Sequence, residues 1–349
     1  VVIGTVSGTD ITFGTRVAFN SASTTNIGPN GIAFDPDTNQ VVIAYRDDGN
    51  SDYGTAIVGA VSGTSMTFGA EATIETGQTS YHSVIYDTNT DRIVIAYRHD
   101  AGSGYGKAKV GEISGTSITL GASTDFLGAS TTAITGTFDS SQNKVVIAYS
   151  GTSTYGTGIV GTVTGGGTNT IAFGTEEVFN SVSTGPIARA VFDSTNNNTV
   201  VCYCHAVSPF YGYNVKGTVS GTAITFSTPF LIASTQVSAA QAASFDANSG
   251  TVVYSYRDVD NSNYGTALVY TSTANNLTSA SFLGISDAVI ADTTRGNVTI
   301  KGGIASTGLS SLTPGTDYYA TEAGTVATSG KVKMGKALSA TSINLEYQS

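Results

Sequence analysis

This sequence is poor in the residues on which many binding and catalytic sites depend. Its 349 residues include no tryptophan, two cysteines, three histidines and six prolines, and only 11% of them are charged. Acidic residues outnumber basic ones by 25 to 15, which gives a net charge of −10. Because nucleic-acid phosphates are held by clustered lysine and arginine, the composition argues against a nucleic-acid partner.

Long hydrophobic runs are missing as well. No stretch approaches the roughly eighteen apolar residues of a membrane-spanning helix, so we predict no membrane insertion. The start at Val1 has neither the basic region nor the cleavage site of a signal peptide. Apolar residues still make up 40% of the chain, which is enough for a core. With Gly, Ser, Thr and Asn supplying much of the rest, short strands and tight turns are favoured.

The two cysteines are Cys202 and Cys204, which stand two residues apart on one predicted strand. Side chains at this spacing point to the same face of a strand, where they are poorly placed to bond to each other. We therefore interpret both as buried, small apolar side chains rather than as a metal or redox pair.

A unit of about fifty residues recurs along the chain. Each unit has an aromatic residue followed by aspartate, then an apolar run such as Val41 to Tyr45, then a Tyr-Gly pair. The aspartates follow one another at steps of 52 to 54 residues. They are Asp35, Asp87, Asp139, Asp193 and Asp246, and the Tyr-Gly pairs begin at Tyr53, Tyr105, Tyr155, Tyr211 and Tyr264.

Turn signals divide each unit into four strands. Polar tracts after the aspartates predict hairpin turns, because Asp and Asn tolerate left-handed backbone and bond their own backbone. Ser-Gly-Thr tripeptides predict a second turn between the third and fourth strands. Four antiparallel strands per repeat are typical of a β-propeller blade. We predict an all-β fold with a β-propeller of six blades, five being the alternative.

The count of six depends on how the ring closes. Residues 1–19 supply only the third and fourth strands of a unit. Residues 288–300 align without a gap on 83–95 and would supply the first two strands. We therefore predict a repeat domain over 1–303, closed by pairing 1–19 with 286–303, and a small C-terminal β element over 304–349.

The C-terminal segment differs from the repeats in character. It contains Phe282-Leu283-Gly284-Ile285, then 312–319 reading LTPGTDYY, then 332–341 reading VKMGKALSAT. This order resembles the C-terminal segments of tail fibre and other virion appendage proteins of tailed phages. The resemblance covers about 65 residues and implies a structural protein of the virion. Pro314-Gly315 predicts a type II turn, followed by a strand that begins at Tyr318.

Two groups of polar residues are candidate glycan contacts. Arg46, Arg98 and Arg257 follow the apolar run in three units and could grip an acidic glycan through paired hydrogen bonds. The alternative is a structural ion pair with a neighbouring acid such as Asp47 or Asp258. The tyrosines that open the third strand, including Tyr53, Tyr105 and Tyr264, could line a carbohydrate surface or pack between blades.

Two acidic loops have the alternating oxygen ligands that can surround calcium. Their candidate ligands are Asp48, Asn50 and Asp52 in one loop, and Asp258 and Asp260 in the other. Simple Asx turns are the alternative, since neither loop has a downstream bidentate glutamate. We otherwise predict no cofactor. The three histidines, His82, His99 and His205, do not share a repeat position, so we expect them at surfaces or turns.

We assign no catalytic residue. The Gly-x-Ser-x-Gly nucleophile motif and the sialidase-type Asp-box do not occur, and tryptophan sugar platforms are lacking. We therefore predict a structural, non-enzymatic tail fibre or decoration protein of a phage virion, located extracellularly. Its partners would be other virion proteins, copies of itself and host-surface glycans. A bacterial carbohydrate-binding lectin and a glycan-cleaving enzyme are the alternatives.

Overall fold

Antiparallel strands form every regular element of this protein apart from three single 3₁₀ turns, within the residues that the structure describes. The computed structural model describes residues 1–25, 30–271, 285–286, 298–306, 308–320, 326–329 and 332–346. It divides into two units, Val1–Ser272 and Thr273–Ser349. No helix among these residues is long and apolar enough to cross a membrane. The all-β class is confirmed.

The first unit begins with a two-stranded hairpin and continues with repeats whose strands we name A to D in chain order. The hairpin consists of β1 (Gly4–Ser7) and β2 (Asp10–Phe13). Repeat 1 has β3 (Thr24–Thr25) and β4 (Ile32–Asp35) as strand A, β5 (Gln40–Asp47) as B, and β6 (Tyr53–Ser62) as C. Its strand D is formed by β7 (Ser65–Phe68) and the first part of β8 (Ala72–Asp87).

Repeats 2 and 3 follow the same plan. In repeat 2 the second part of β8 is strand A, β9 (Arg92–His99) is B, β10 (Tyr105–Ser114) is C, and β11 (Ser117–Leu120) with β12 (Thr124–Ser130) is D. In repeat 3 the strands are β13 (Thr132–Asp139), β14 (Lys144–Ser150), β15 (Tyr155–Thr164), and β16 (Thr170–Phe173) with the start of β17 (Glu177–Asp193).

Repeat 4 takes its strand A from the end of β17 and continues through β18 (Asn198–His205), β19 (Gly212–Ser220), β20 (Ala223–Phe226) and β21 (Phe230–Ala233). Repeat 5 has β22 (Val237–Asp246), β23 (Thr251–Asp258) and β24 (Tyr264–Thr271) as strands A to C. The described part of the chain thus holds four complete four-stranded repeats and three strands of a fifth, a propeller-like array.

The turn between strands A and B is the one that the sequence predicts. In repeats 1 to 4 the aspartate that ends strand A accepts hydrogen bonds from the backbone N–H groups two and three residues later, as Asp87 does from Asn89 and Thr90. The residue four positions after each aspartate has left-handed backbone, for example Asn39 and Asn143. Asx turns therefore set the strand length in every repeat.

The N-terminal hairpin is built as the C and D strands of a repeat. It pairs Gly4 with Phe13, as Gly59 pairs with Phe68 in repeat 1. The backbone N–H of Gly14 donates to the carbonyl of Ile3 at 2.8 Å, and the equivalent bond of Gly69 to Val58 measures 3.0 Å. Phe19 then packs against Tyr45 of repeat 1 at 5.1 Å, the contact that Phe126 makes with Tyr149 at 5.1 Å.

The predicted ring closure lies largely outside the described residues. Of 286–303, residues 287–297 are not described. The first described strands of the second unit are β25 (Ile285–Ser286) and β26 (Val298–Thr299), which pair Ile285 with Thr299. The alignment on repeat 2 would instead place Thr299 opposite Ile290. The domain boundary at 303 and the closure by 286–303 stay predictions.

The rest of the second unit is a five-stranded antiparallel sheet. Its strands are β27 (Ile304–Ala305), β28 (Asp317–Ala320), β29 (Val326–Ala327), β30 (Val332–Ser339) and β31 (Ser342–Leu345), in the order β27-β31-β30-β28-β29. Gly315 has φ +83°, as a type II turn requires. Tyr318 is buried in the core with Met334 and Ile343, and its hydroxyl accepts from the backbone N–H of Thr313 at 2.9 Å. The predicted turn and strand are confirmed.

Candidate ligand-binding loops

The loops between strands B and C carry most of the candidate residues. In repeats 1 and 2 each of these loops contains a single 3₁₀ turn, Asp48–Asn50 or Asp100–Gly102, which ends at a serine with left-handed backbone. In repeat 1 the loop is tied to the preceding segment, because the Asp48 carboxylate accepts from Thr25 Oγ1 at 2.9 Å and from Ser23 Oγ at 3.2 Å. The two loops are therefore ordered by short local contacts.

Arg46 and Arg98 form the same ion pair in repeats 1 and 2. Arg46 Nε lies 2.8 Å from Asp48 Oδ1, and Arg98 Nε lies 2.9 Å from Asp100 Oδ1. Their side chains are 20% and 26% exposed. The hydrogen bond from Arg46 also holds the pKa of the Asp48 carboxyl below its usual value. Both ion pairs involve Nε, but only Arg46 makes a hydrogen bond through it, whereas Arg98 Nε lies at ion-pair distance from Asp100 without a hydrogen bond. The Nη groups of both arginines form no hydrogen bond with the described residues.

Arg46 therefore forms a structural ion pair with a neighbouring acid, as the alternative predicts, but its partner is Asp48 instead of Asp47. The expected partner Asp47 is buried and its carboxylate accepts from the Gly49 backbone N–H at 3.0 Å. Because that oxygen caps the 3₁₀ turn, the arginine pairs with the next residue, Asp48. The sequence pattern does not distinguish two adjacent aspartates on a strand end.

Arg257 of repeat 5 has a different environment. It is exposed, and its Nε donates to Ser238 Oγ at 2.5 Å instead of to a carboxylate. Asp258, the other expected partner, accepts from the Asn261 backbone N–H. The equivalent positions in repeats 3 and 4 hold Ser150 and Cys204, which are buried. Each arginine bonds within its own repeat or the strand beside it.

The tyrosines that open strand C lie beside these loops. Tyr53 pairs with Asp47 across the B and C strands, Tyr105 with His99, and Tyr264 with Asp258. Tyr53 and Tyr105 are partly buried, whereas Tyr264 is exposed. Each tyrosine therefore starts its strand at the edge where the arginine of the same repeat ends strand B.

The oxygens proposed for calcium are engaged by hydrogen-bond donors in the two loops. Asp48 bonds Arg46, Thr25 and Ser23, while Asp260 Oδ2 accepts from the Gln236 backbone N–H at 2.7 Å. Asp52 lies 3.6 Å from Arg46 Nε. Within the described ranges no three His, Cys, Asp or Glu side chains form a group that could hold a metal. Calcium binding by Asp48, Asn50, Asp52, Asp258 and Asp260 stays a prediction without support from this geometry.

The prediction that the three histidines lie at surfaces or turns is wrong for His82, which lies within strand β8. This residue is buried, and its Nε2 lies 2.9 Å from Thr79 Oγ1. It enters the core because strand A shifts register at residues 80 to 83, where Tyr81 has left-handed backbone and turns outward. His205 is partly exposed and stacks on Tyr213 at 4.3 Å; burial lowers the pKa of its imidazole.

The interpretation of the cysteines is confirmed. Cys202 and Cys204 form no disulfide with each other, and both are buried in one cluster with Val237 and Tyr254 of repeat 5. Burial raises the pKa of the Cys202 thiol to about 12. Both thiols are therefore protonated at neutral pH and act as small apolar side chains.

A row of buried tyrosines with carboxylate partners escaped the sequence analysis. The strand B tyrosines of repeats 1 to 3 donate their hydroxyls to glutamates of strand D, Tyr45 to Glu71 at 2.7 Å, Tyr97 to Glu75 at 3.0 Å and Tyr149 to Glu176 at 2.8 Å. Repeat 4 has Pro229 where repeats 1 and 3 have glutamate, and the buried hydroxyl of Tyr203 has no hydrogen-bond partner. An alignment of the repeats could have shown that repeat 4 lacks the glutamate found in repeats 1 and 3.

The presence of a hydrogen-bond partner at Tyr149 and its absence at Tyr203 predict different changes in stability when each tyrosine is replaced with phenylalanine. Tyr149→Phe removes a hydrogen bond to a carboxylate, so we expect a loss of about 1 to 3 kcal/mol in the free energy of unfolding. Tyr203→Phe removes a buried hydroxyl without a partner and should be neutral or stabilising. Urea unfolding of both variants beside the parent protein measures the two values. Equal losses in the two variants would contradict the assigned hydrogen bonds.

Comparisons with known proteins place the chain in no family. No family model matches, and no curated protein matches it. Three solved structures resemble it at low identity. An exo-β-1,3-galactanase from Phanerochaete chrysosporium with galactose has TM-score 0.45 and 11% identity, over 66% of this chain and 56% of that one. A mutant Aleuria aurantia lectin with α-methyl-L-fucoside has TM-score 0.44 and 15% identity, over 67% and 71%.

The third structure is the NanB sialidase from Streptococcus pneumoniae, with TM-score 0.43 and 12% identity, over 63% of this chain and 36% of that one. The chain thus spans about half of the galactanase and a third of the sialidase. At these scores the likeness carries no argument about this chain. The class that the described residues define is an all-β protein of propeller-like four-stranded repeats.

Proposed function

We propose that this chain is a non-enzymatic glycan-binding protein whose B–C loops hold acidic sugars through Arg46, Arg98 and Arg257. The observation that carries the proposal is the recurring orientation of two arginines by aspartates through Nε. A guanidinium has five N–H donors in a planar fork. With Nε engaged, the four Nη donors can bind a carboxylate or two neighbouring hydroxyls of a sugar.

The loop geometry supports such binding physically. A guanidinium already fixed by an aspartate loses less side-chain freedom on binding than a free one. Tyr53, Tyr105 and Tyr264 stand next to the arginines at the same edge and can contribute ring faces and hydroxyls. Each site is small, so its affinity is expected to be weak. Several equivalent sites on one rigid array raise the overall strength through avidity.

The finer architecture belongs to the same proposal. A propeller of six blades accounts for five repeats plus a hairpin that has the strand register of a sixth, with five blades as the alternative. The β element over 304–349 is proposed as the part that contacts other virion proteins or copies of the same chain. Its resemblance to phage appendage ends supports a role as tail fibre or decoration protein on the virion, outside the cell.

Binding of an acidic oligosaccharide, such as a uronic-acid oligomer, tests the proposed site. Relative to the parent protein, an Arg46→Gln and Arg98→Gln double variant is expected to lose at least about tenfold in affinity, because each arginine supplies charge-assisted hydrogen bonds. Arg16→Gln is the matched control, since Arg16 is exposed and lies outside the loops. Affinities are measured by calorimetric titration at fixed ionic strength, with a neutral oligosaccharide as the second ligand.

Equal affinities of the double variant and the Arg16→Gln control would contradict the assignment of the site. Release of reducing ends during the titration would contradict the absence of catalysis. A bacterial lectin would show the same dependence on the arginines. Detection of the protein on phage particles would support the virion role, whereas detection in the secreted fraction or on bacterial cell surfaces would support the lectin role.

A further inference from the structure

The outer face of the N-terminal hairpin is apolar and uncovered within the described residues. Val2, Val6, Ile11 and Phe13 share this face and are 41%, 71%, 52% and 60% exposed. The opposite face of the hairpin packs on repeat 1, where Val1 and Ile3 join a cluster with Val41 and Ile57. A two-stranded hairpin that is fixed on one side and apolar on the other is an incomplete interface.

The equivalent face is buried in repeats 3 and 4. The positions of Val6 and Ile11 correspond to Val163 and Ile171 in repeat 3, which are 8% and 4% exposed. In repeat 4 they correspond to Val219 and Ile224, at 5% and 4%. The same sequence pattern therefore forms core in the interior of the array and surface at its beginning.

What covers this face inside the array is always the preceding repeat. Two valines, one from strand B and one from strand C, pack on the C and D strands of the repeat that follows. Val42 and Val58 of repeat 1 pack with Ile118 of repeat 2. The same contact joins repeats 2 and 3, and repeats 3 and 4. Between repeats 2 and 3 the contact consists of Val94, Val110, Val163 and Ile171. Between repeats 3 and 4 it consists of Val146, Val160, Val219 and Ile224.

Repeat 5 carries the other half of this contact without a partner among the described residues. Val253 and Val269 occupy the two valine positions and are 39% and 65% exposed. Their counterparts Val42, Val58, Val94, Val110, Val146 and Val160 are all fully buried. One whole face of strands B and C is exposed in repeat 5, as shown by the alternation along Thr251–Asp258.

We propose that the hairpin face packs on the Val253 and Val269 face of repeat 5 of the same chain and thereby closes the array. The two exposed faces are the two halves of a contact that the chain makes three times in its interior. This inference rests on the proposed ring of blades, and it requires no strand from 286–303. In this proposal the N-terminal hairpin makes the contact that closes the ring.

Closure within one chain is favoured over contact between copies. The two faces belong to one continuous unit, so the effective concentration of one for the other is far above the protein concentration in solution. Closing also covers two exposed apolar faces, which otherwise favour association with other chains. A second copy of this chain could offer the same faces, and the crosslinking experiment below distinguishes contact between copies from closure within one chain.

The first test replaces apolar residues with aspartate, a change that lowers stability little at an exposed position and much at a buried one. Val269→Asp is expected to lower the melting temperature by at least about 4 °C, because closure buries this residue. Val178→Asp is the matched control, since Val178 is 46% exposed in strand D of repeat 3, away from both faces. Phe13→Asp, with Phe34→Asp as its control, repeats the comparison on the hairpin, since Phe34 is 49% exposed. Equal, small effects for all four variants would overturn the proposal.

The second test identifies the occupant. A Phe13→Cys and Val269→Cys variant of the full chain is treated with a short bis-maleimide, and the parent protein, whose two cysteines are buried, is the control. We expect a linked product of monomer mass that forms independently of protein concentration. A linked dimer, or no linked product, would overturn closure within the chain. Neither test involves a glycan, so failure here is distinct from failure of the glycan sites.

Discussion

Replacing Gly174 with alanine is expected to lower the free energy of unfolding by about 3 kcal/mol or more, a cost at the upper end for overpacking. Gly174 follows strand β16 of repeat 3 and lies directly against the backbone carbonyl of Thr222 in the turn of repeat 4. A Cβ at this position would overlap that carbonyl oxygen. Because the obstacle is backbone, a side-chain rotation cannot relieve it, and the two repeats must move apart.

The control for this variant is Gly128→Ala. A Cβ added at Gly128 meets no atom within 4 Å, and the residue lies in strand D of repeat 2. We expect it to unfold within about 0.5 kcal/mol of the parent protein. Urea unfolding followed by circular dichroism measures both. Equal stabilities of the Gly174 and Gly128 variants would show that neighbouring repeats are not in the close contact described.

The same close contact recurs between successive repeats. Gly14 meets Thr64, Gly69 meets Thr116, and Gly121 meets Asn169 in the equivalent place. Repeat 4 has Ser227 at this position. In repeats 1 to 3 the glycine between the two segments of strand D thus marks the place where the following repeat docks. Its presence at Gly14 shows that the hairpin docks on repeat 1 as a repeat would.

Replacing Ile147 with alanine is expected to cost about 2 to 5 kcal/mol in the free energy of unfolding. Ile147 is fully buried in strand B of repeat 3, in the cluster that joins repeats 2 and 3. The change removes buried apolar atoms and leaves a cavity that close-packed strands on both sides cannot fill. A fall of this size is a large share of the stability of an ordinary domain.

Val178→Ala is the exposed counterpart of this variant and should change the free energy of unfolding by less than about 0.5 kcal/mol. Both variants are measured by thermal and urea unfolding under one set of conditions. A loss below about 1 kcal/mol for Ile147→Ala would contradict the packing of repeats 2 and 3 described above.

The sequence predicts the repeat plan well because its signals are local. Asp87 caps its own turn, and Asn39 and Gly315 adopt the backbone that their residue types tolerate, so a few neighbouring residues decide each turn. Cys202 and Cys204 lie in one core cluster because side chains two residues apart on a strand share a face. Such features need no knowledge of distant residues.

Features that depend on distant residues were not predictable in the same way. The Asp48 carboxylate that pairs with Arg46 is also held by Thr25, 23 positions away in the chain. The burial of His82 depends on a register shift in strand A. The bond between Tyr149 and Glu176 joins residues 27 positions apart. In each case the deciding contact arises from packing between strands, which a periodic pattern does not encode.

The number of acidic oligosaccharides that one chain binds tests the central proposal most directly. Calorimetric titration of the intact protein with a uronic-acid oligomer gives this number. With sites at Arg46, Arg98 and Arg257, we predict two or three sites per chain, weakened by added salt because exposed charges are screened. Absence of binding, or one salt-independent site that persists when Arg46 and Arg98 are replaced, would contradict it.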